Sequence, residues 1–507
     1  MRVLHGIGTD RRKVLIAAVL ILALASFLRL YHIGWSFSSD GVDEGIMLER
    51  SLMVSHGYQL YSGMPSDQAP LAFYVGALMD GNVLALRSFV AVLSILAIAV
   101  SMLAARRLSG NSGMLITGLL LAVDFALLRE SRLFSLDAIS SSFLALSLLP
   151  FLVYIKSGNR AMLLTSGFMV GLSSASKLLG VLGLLGMLLF LVLEMRSRSE
   201  SRRRKILDIL MLVVISAIPL GLFMVALGPG DMIQGMVFDQ GHRSFEIGLK
   251  LSIVAYFAVN IAYLLPLMSA RTMWKERPEY RFLLTLSFVL LAFMVFQPLT
   301  FFHHLVLLSP PLAILAGALI SSALEHKKKS SETIQKLVVT KRAIASANKI
   351  IALAVIGILV STGLGAYGLA AQGRPFQDGY AKLIKQYSSP SQWVVSGDPL
   401  MVSLADRLMP PGLVNIAYRQ YPDLTEQGLE SEIIQYNVTV VVVCYRLNDM
   451  PGLVGFLTNH SYKKIPAPIV YHPNWYEQLV RYRWVGSEPV LNLFEKEIGP
   501  VTFFYKS

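Results

Sequence analysis

Ser38-Ser39-Asp40-Gly41-Val42-Asp43-Glu44-Gly45 follows the first long apolar run, Val14 to Leu30, and precedes a short mixed helix, roughly Ile46 to Ser55. Two adjacent carboxylates, Asp43 and Glu44, therefore stand where the chain would leave a bilayer. Acids there gain nothing from hydrophobic burial, and ionisable groups at a membrane boundary are functional candidates by default. The alternative is a solvated acidic pair that favours the N-terminus of the next helix through the helix dipole. Position alone leaves both readings open.

Working outward, composition sets the class. Of 507 residues 54% are hydrophobic and 15% charged, with a mean hydropathy of +0.58; soluble domains carry about a quarter charged residues. Apolar runs of about 20 residues, enough to cross a hydrocarbon core, recur through the first three quarters. The chain reads as a polytopic α-helical membrane protein, with candidate spans at 14–31, 83–105, 113–129, 137–155, 161–176, 178–194, 206–227, 249–268, 281–298, 305–324 and 350–371. The first run lacks a small-residue cleavage site and is read as a retained helix.

Positive charge orients these eleven spans. Segments 1–13, 106–112, 156–160, 195–205, 269–281 and 325–349 hold 25 of the 45 Lys and Arg. That bias puts the N-terminus in the cytoplasm and the tail outside, in the plasma membrane. From Gln372 onward 12 basic residues balance 12 acidic ones, so the net charge of +13 belongs to the membrane half. Clusters such as Arg202-Arg203-Arg204-Lys205 are read as topology signals and contacts to anionic lipid, with no nucleic acid implied. Cys444, the one cysteine, excludes an intrachain disulfide and a cysteine metal cluster.

With that topology the outer loops collect the polar groups. The first, 32–82, holds the acidic pair. The second, Arg129 to Leu136, runs into Asp137 at the head of a helix, and Lys177 sits between two short spans. A later, very short loop carries His303-His304. Asp43, Glu44, Asp137, Lys177, His303 and His304 thus share one face, as expected of a site that meets both water and lipid.

Several of these stretches resemble the GT-C glycosyltransferases, on the branch of the protein O-mannosyltransferases and aminoarabinose transferases. The matching residues are Asp43-Glu44, Gly57-Tyr58-Gln59-Leu60-Tyr61, Ala69-Pro70-Leu71, Arg87, Ser131-Arg132-Leu133-Phe134 with Asp137, Gly171 through Lys177, and His303-His304 through Pro310-Pro311. They run in order over about the first 325 residues. The resemblance implies an inverting glycosyltransferase that moves one sugar from a polyprenyl phosphate, dolichyl or undecaprenyl, to a hydroxyl of a glycan, lipid or protein acceptor at the outer face. It implies Asp43 as the general base, with Glu44 and Asp137 orienting the base or the acceptor. A departing phosphate gathers negative charge, so cations should face it; Lys177, His303, His304 and Arg132 are the candidates. For Lys177 the alternative is a lysine snorkelling at a helix end, and for the histidines a polar interfacial pair. Metal dependence stays open, since three carboxylates could hold a divalent cation.

The sequence also departs from that pattern. Asp124 replaces the small polar residue usual there, and stands either as a supporting carboxylate or at the surface. His303-His304 replaces the usual arginine and tyrosine. The Trp-Trp-Asp triplet of the oligosaccharyltransferases is missing, which argues against en bloc glycan transfer to asparagine.

The expected division is a membrane domain over 1–371 and a small α/β extracytoplasmic domain over 372–507. In the tail, strands are expected at Val394-Val395, Val438 to Val443 and Thr502 to Tyr505, and helices at Tyr380 to Gln386, Thr425 to Gln435 and Gly452 to Thr458. A transporter or flippase of lipid-linked sugars is the competing function. It would favour repeated halves and midplane charges, neither of which the sequence shows. A non-catalytic scaffold would leave the one-sided acids unexplained.

Overall fold

The computed structural model of the chain describes residues 2–35, 37, 41–195, 202–239, 245–332, 339–372, 377–415, 425–465 and 501–506. Ser38, Ser39, Asp40, His242 and Arg243 lie outside these. The chain is a helical membrane protein with a small sheet layer near its C-terminus. Helices α1 (Arg2–Leu30), α2 (Gly41–Ser55), α3 (Leu71–Ala77), α4 (Val83–Val123), α5 (Phe125–Glu130), α6 (Leu136–Ser157), α7 (Arg160–Ser176), α8 (Val181–Met195) and α9 (Arg202–Leu227) build the first half. Leu251–Val259, Pro278–Phe296, Ser309–Glu332 and Val339–Ala371 are the main helices of the second half.

Among the described residues eight helices are long and apolar enough to cross a membrane, or nine if one bent pair is a single span. The eleven expected spans differ from these at three places, each with a physical cause. In α4, Ser109 and Gly110 leave helical geometry, with Gly110 at φ 71°. A Cβ on Gly118 would lie 2.7 Å from the Met102 sulfur. Sixteen residues of straight helix would hold those two about 24 Å apart, so α4 is a hairpin whose arms pack together. Helix α7, with 17 residues, is short for a span. The span expected at 249–268 breaks at Asn260, where its halves meet at 95°.

Small residues let the helices approach closely. Thr117 Oγ1 donates to the Ala313 carbonyl at 3.2 Å, beside Gly113 and Gly317. Ser166 Oγ donates to the Ser147 carbonyl at 2.9 Å across α6 and α7. In lipid, where apolar surface gains little by leaving its solvent, such close contacts carry helix association.

In the tail, β1 (Val394–Ser396), β2 (Val440–Val443), β3 (Tyr462–Ile465) and β4 (Thr502–Lys506) form one sheet in the order β1-β2-β4-β3. Strand β1 runs parallel to β2, while β4 is antiparallel to both β2 and β3. The four valines of β2 are all buried, as befits a central strand. Edge strand β3 shows Lys463 and Lys464 to solvent, which discourages pairing with another chain. The helices fall at Gln377–Tyr387, Glu426–Gln435 and Leu453–Asn459 as expected; the short helix Pro399–Leu404 and strand β3 are additional.

Helix α2 joins this layer to the bundle. A Cβ on Gly45 would stand 2.2 Å from the Leu400 nitrogen, so α2 meets the helix Pro399–Leu404 backbone to backbone. Glu49, fully buried, accepts from the Met409 amide at 2.8 Å and from Ser403 Oγ at 2.9 Å. On the bundle side, Glu44 accepts from Arg87 Nε at 2.7 Å, Arg87 Nη2 at 2.5 Å and the Phe134 amide at 2.9 Å. One core runs from α2 through Phe73 and Phe134 to Val441 and Phe504.

Burial pushes the Glu49 carboxyl up to about 8, against the pull of its two hydrogen bonds. A folded-state pKa above the unfolded value gives stability that is complete below the unfolded pKa and lost as pH rises through the folded one. Wild-type melting temperature should therefore fall between about pH 5 and pH 8. In Glu49→Gln, whose amide can serve Met409 and Ser403 together, that fall should flatten; an unchanged slope would remove Glu49 as its source. Arg87→Met strands the Glu44 carboxylate in a buried site and should cost about 3–5 kcal/mol, read by denaturation of the purified protein. Adding Glu44→Gln should recover much of that loss.

Candidate active site

Three serines bring the site's elements together. Ser140 and Ser173 join α6 to α7, their hydroxyls 2.9 Å apart, with Ser173 Oγ also 2.8 Å from the Ser140 carbonyl. Ser141 Oγ donates to the Val306 carbonyl at 2.8 Å, drawing in the short 3₁₀ helix Phe302–Leu308. The start of α6, the end of α7 and the His303 segment are thereby fixed at one end of the bundle.

Asp137 lies in the first turn of α6, where the helix dipole favours an acid. Lys177, at the C-cap of α7, turns into extended backbone at φ −152° and ψ 133°. Its Nζ donates to Asp137 Oδ2 at 2.6 Å, and both side chains are buried. The turn then closes tightly, since a Cβ on Gly180 would meet the Ser173 carbonyl carbon at 2.4 Å. His303 Nε2 approaches Asp137 Oδ2 to 4.0 Å, with its side chain 22% exposed. Its ring stacks on Phe301 at 5.4 Å and meets His304 edge-on at 4.6 Å. Asp137 Oδ1 is buried and has no hydrogen-bond partner among the described residues.

Asp43, in the first turn of α2, is exposed. Asp137, Lys177, Asp43 and Arg129 all stand within electrostatic range of His303. The structure thus gathers Asp43, Asp137, Lys177 and His303, with His304 beside them. Arg129, in the last turn of α5, joins the group although sequence reasoning did not nominate it. The signal was there: it opens the loop that leads into Asp137.

The remaining candidates are otherwise engaged. Glu44 is held by Arg87 and Phe134. Arg132 donates to the carbonyls of Leu28 at 2.7 Å and Tyr31 at 2.9 Å, and to Gln372 Oε1 at 2.9 Å. It caps the end of α1, its guanidinium 4.9 Å from the Phe37 ring centroid. Burial, then the neighbouring Arg87, lowers its pKa to about 10. Asp124 is fully buried at the N-cap of α5, accepting from the Leu127 amide at 3.0 Å and Tyr263 Oη at 2.9 Å. Among the described residues no three His, Cys, Asp or Glu side chains gather to hold a metal ion.

Comparison with known proteins agrees with this architecture. Residues 67–223, less than half of the chain, match the dolichyl-phosphate-mannose-protein mannosyltransferase family. That segment contains Arg87, Asp137 and Lys177 but not Asp43 or His303. No curated protein sequence matches the chain. Among solved structures, ArnT from Cupriavidus metallidurans bound to undecaprenyl phosphate superposes with a TM-score of 0.61 at 16% identity, over 90% of this chain and 96% of that one. Its apo state gives 0.63 at 15% identity, over 90% and 97%. The apo oligosaccharyltransferase of Archaeoglobus fulgidus gives 0.59 at 15% identity, over 85% of this chain and 69% of that one. The chain has the fold of these membrane glycosyltransferases, and over residues 67–223 it is similar to the mannosyltransferase family.

Proposed function

We propose that the chain transfers one sugar from a polyprenyl phosphate to an acceptor hydroxyl at the outer face of the plasma membrane, with inversion at the anomeric carbon. The observation that carries this reading is the pairing of an exposed acid with a buried cationic group. Asp43 faces solvent, while Lys177 and His303 flank Asp137 on other elements and Arg129, paired with Glu130 at 3.9 Å, stands within electrostatic range of His303.

The chemistry follows from that arrangement. A sugar phosphate already carries a good leaving group, so the missing help is removal of the acceptor's proton. Asp43 takes that proton as the acceptor oxygen bonds to the anomeric carbon. The bond to phosphate oxygen breaks on the opposite side, and the phosphate leaves with the electron pair. Lys177, His303 and Arg129 balance its growing charge, with His304 next to them. Asp137 holds Lys177 in place through Oδ2, leaving Oδ1 free to accept a hydrogen bond from the donor. Glu44 fixes the helix that carries Asp43, and Arg132 keeps the end of α1 against the same turn.

A lipid-phosphate donor is supported by the ArnT likeness, whose structure holds undecaprenyl phosphate, and by the family matched over residues 67–223. The acceptor is a glycan, a lipid or a protein. We read residues 1–371 as the catalytic membrane domain and 372–507 as an extracytoplasmic layer over it.

Asp43→Asn keeps size but cannot take the proton, and should cut turnover by about 10²–10⁴ with donor binding intact. Lys177→Ala should weaken donor binding instead. Turnover and donor affinity measured separately on both variants make the test, and near-normal turnover in Asp43→Asn would end its role as base. Orientation has its own check. Cys444 is buried, so single cysteines can be introduced at the exposed Ser157 and Ser391. An impermeant thiol reagent on intact cells should label position 391 and spare 157; the reverse pattern would invert the topology.

A further inference from the structure

The opposite end of α6 holds a second built feature. From Asp137 to Ser157 the helix carries the chain about 30 Å. There a cavity of about 210 Å³ opens between α6, α8 and α9, lined by Tyr154, Lys156, Glu194, Arg204, Lys205 and Asp208, among others. Its acids are already satisfied. Asp208 accepts from Tyr154 Oη at 2.8 Å and Arg160 Nε at 2.7 Å. Glu194 pairs with Arg281 at 3.1 Å. Lys205 Nζ donates to the Glu194 carbonyl at 2.7 Å, and Arg204 Nη2 reaches the Gly158 carbonyl at 3.4 Å. With Arg160 and Arg281 neutralising the acids, the charges of Lys156, Arg204 and Lys205 remain as a surplus.

The surroundings say what kind of anion fits. The volume lies below the 300–1,000 Å³ of a pocket for a drug-sized molecule. Val192 and Leu193 on α8 and Ile206 and Leu207 on α9, next to the lining residues, are each at least 40% exposed. Any occupant therefore has apolar surface beside it. We propose that this cavity binds the phosphate headgroup of an anionic membrane lipid, on the face opposite the active site, with the acyl chains along Val192, Leu193, Ile206 and Leu207. The site is independent of the sugar-transfer reading and does not touch its residues.

The test uses the full chain purified in neutral detergent. Dioleoylphosphatidylglycerol, dioleoylphosphatidylcholine and inorganic phosphate are titrated separately, with binding read by native mass spectrometry and thermal shift. Phosphatidylglycerol should bind and stabilise; phosphatidylcholine and inorganic phosphate should not. The exposed Lys156 and Arg204 can be changed without disturbing the core. Lys156→Gln/Arg204→Gln should weaken phosphatidylglycerol binding roughly thirtyfold, a factor of about five for each charge. Arg106→Gln/Arg107→Gln, at the hairpin turn of α4 on the same end, is the charge-matched control and should leave binding unchanged. Equal loss in both double variants, or no loss in the first, overturns the site. Stabilisation by inorganic phosphate equal to that by lipid overturns the lipid assignment.

Discussion

The pair between Glu44 and Arg87 is the contact on which the active end depends. Helix α2 does not cross the membrane but packs, buried on nearly all sides from Glu44 to Met53, between the bundle and the C-terminal layer. Glu44 accepts three hydrogen bonds from two separate elements, α4 and the turn before α6. A charge-assisted pair sheltered from solvent is strong, and costly to break from one side. On the other side Glu49 and the bare backbone at Gly45 lock α2 against the C-terminal layer. Successive helical residues turn about 100°, so with Glu44 clamped inward its neighbour Asp43 is directed elsewhere. One carboxylate of the adjacent pair is spent to aim the other.

Much of this was legible in the sequence, because the bilayer restricts what a spanning segment can be. Uninterrupted apolar runs marked the helices, and alternation of loops placed Asp43, Asp137, Lys177 and His303 on one face. The strands of the tail were readable from valine runs and from the aromatic pair Phe503-Phe504. What failed to show were partners. Arg132 looks like a free cation in an outer loop, yet the carbonyls that hold it belong to Leu28 and Tyr31, about a hundred residues away. Asp124 looks like an acid inside a span because nothing local reveals that the helix stops there and restarts with Asp124 as its cap. Strand β3 was missed because its two lysines break the apolar signal at a sheet edge.

The serines of α6 and α7 show how a membrane bundle reaches the precision that catalysis needs. Ser140, Ser141 and Ser173 are unremarkable in sequence, but each makes a hydrogen bond between elements where water is scarce. Such bonds are individually modest, about 0.6 kcal/mol on average. Their value lies in register: they fix which turn of α6 faces which turn of α7. A slip by one turn, about 5.4 Å, would take Lys177 out of reach of Asp137.

The fates of the acids separate the site from the scaffold. Glu44, Asp67, Asp137, Asp208 and Glu194 each pair with a cation, and Asp124 is bonded by a tyrosine and a backbone amide. In a low-dielectric bundle that is the expected outcome, since an unpaired buried charge is very costly. Asp43 departs from it: among the described residues it makes no ion pair or hydrogen bond, and it keeps its exposure through its place at the start of α2. A carboxylate already bonded to a cation is a poor acceptor for a further proton. An acid that works as a base must therefore be held near the cationic group without being captured by it. Placing Asp43 on a separate helix, anchored one residue away through Glu44, meets both demands.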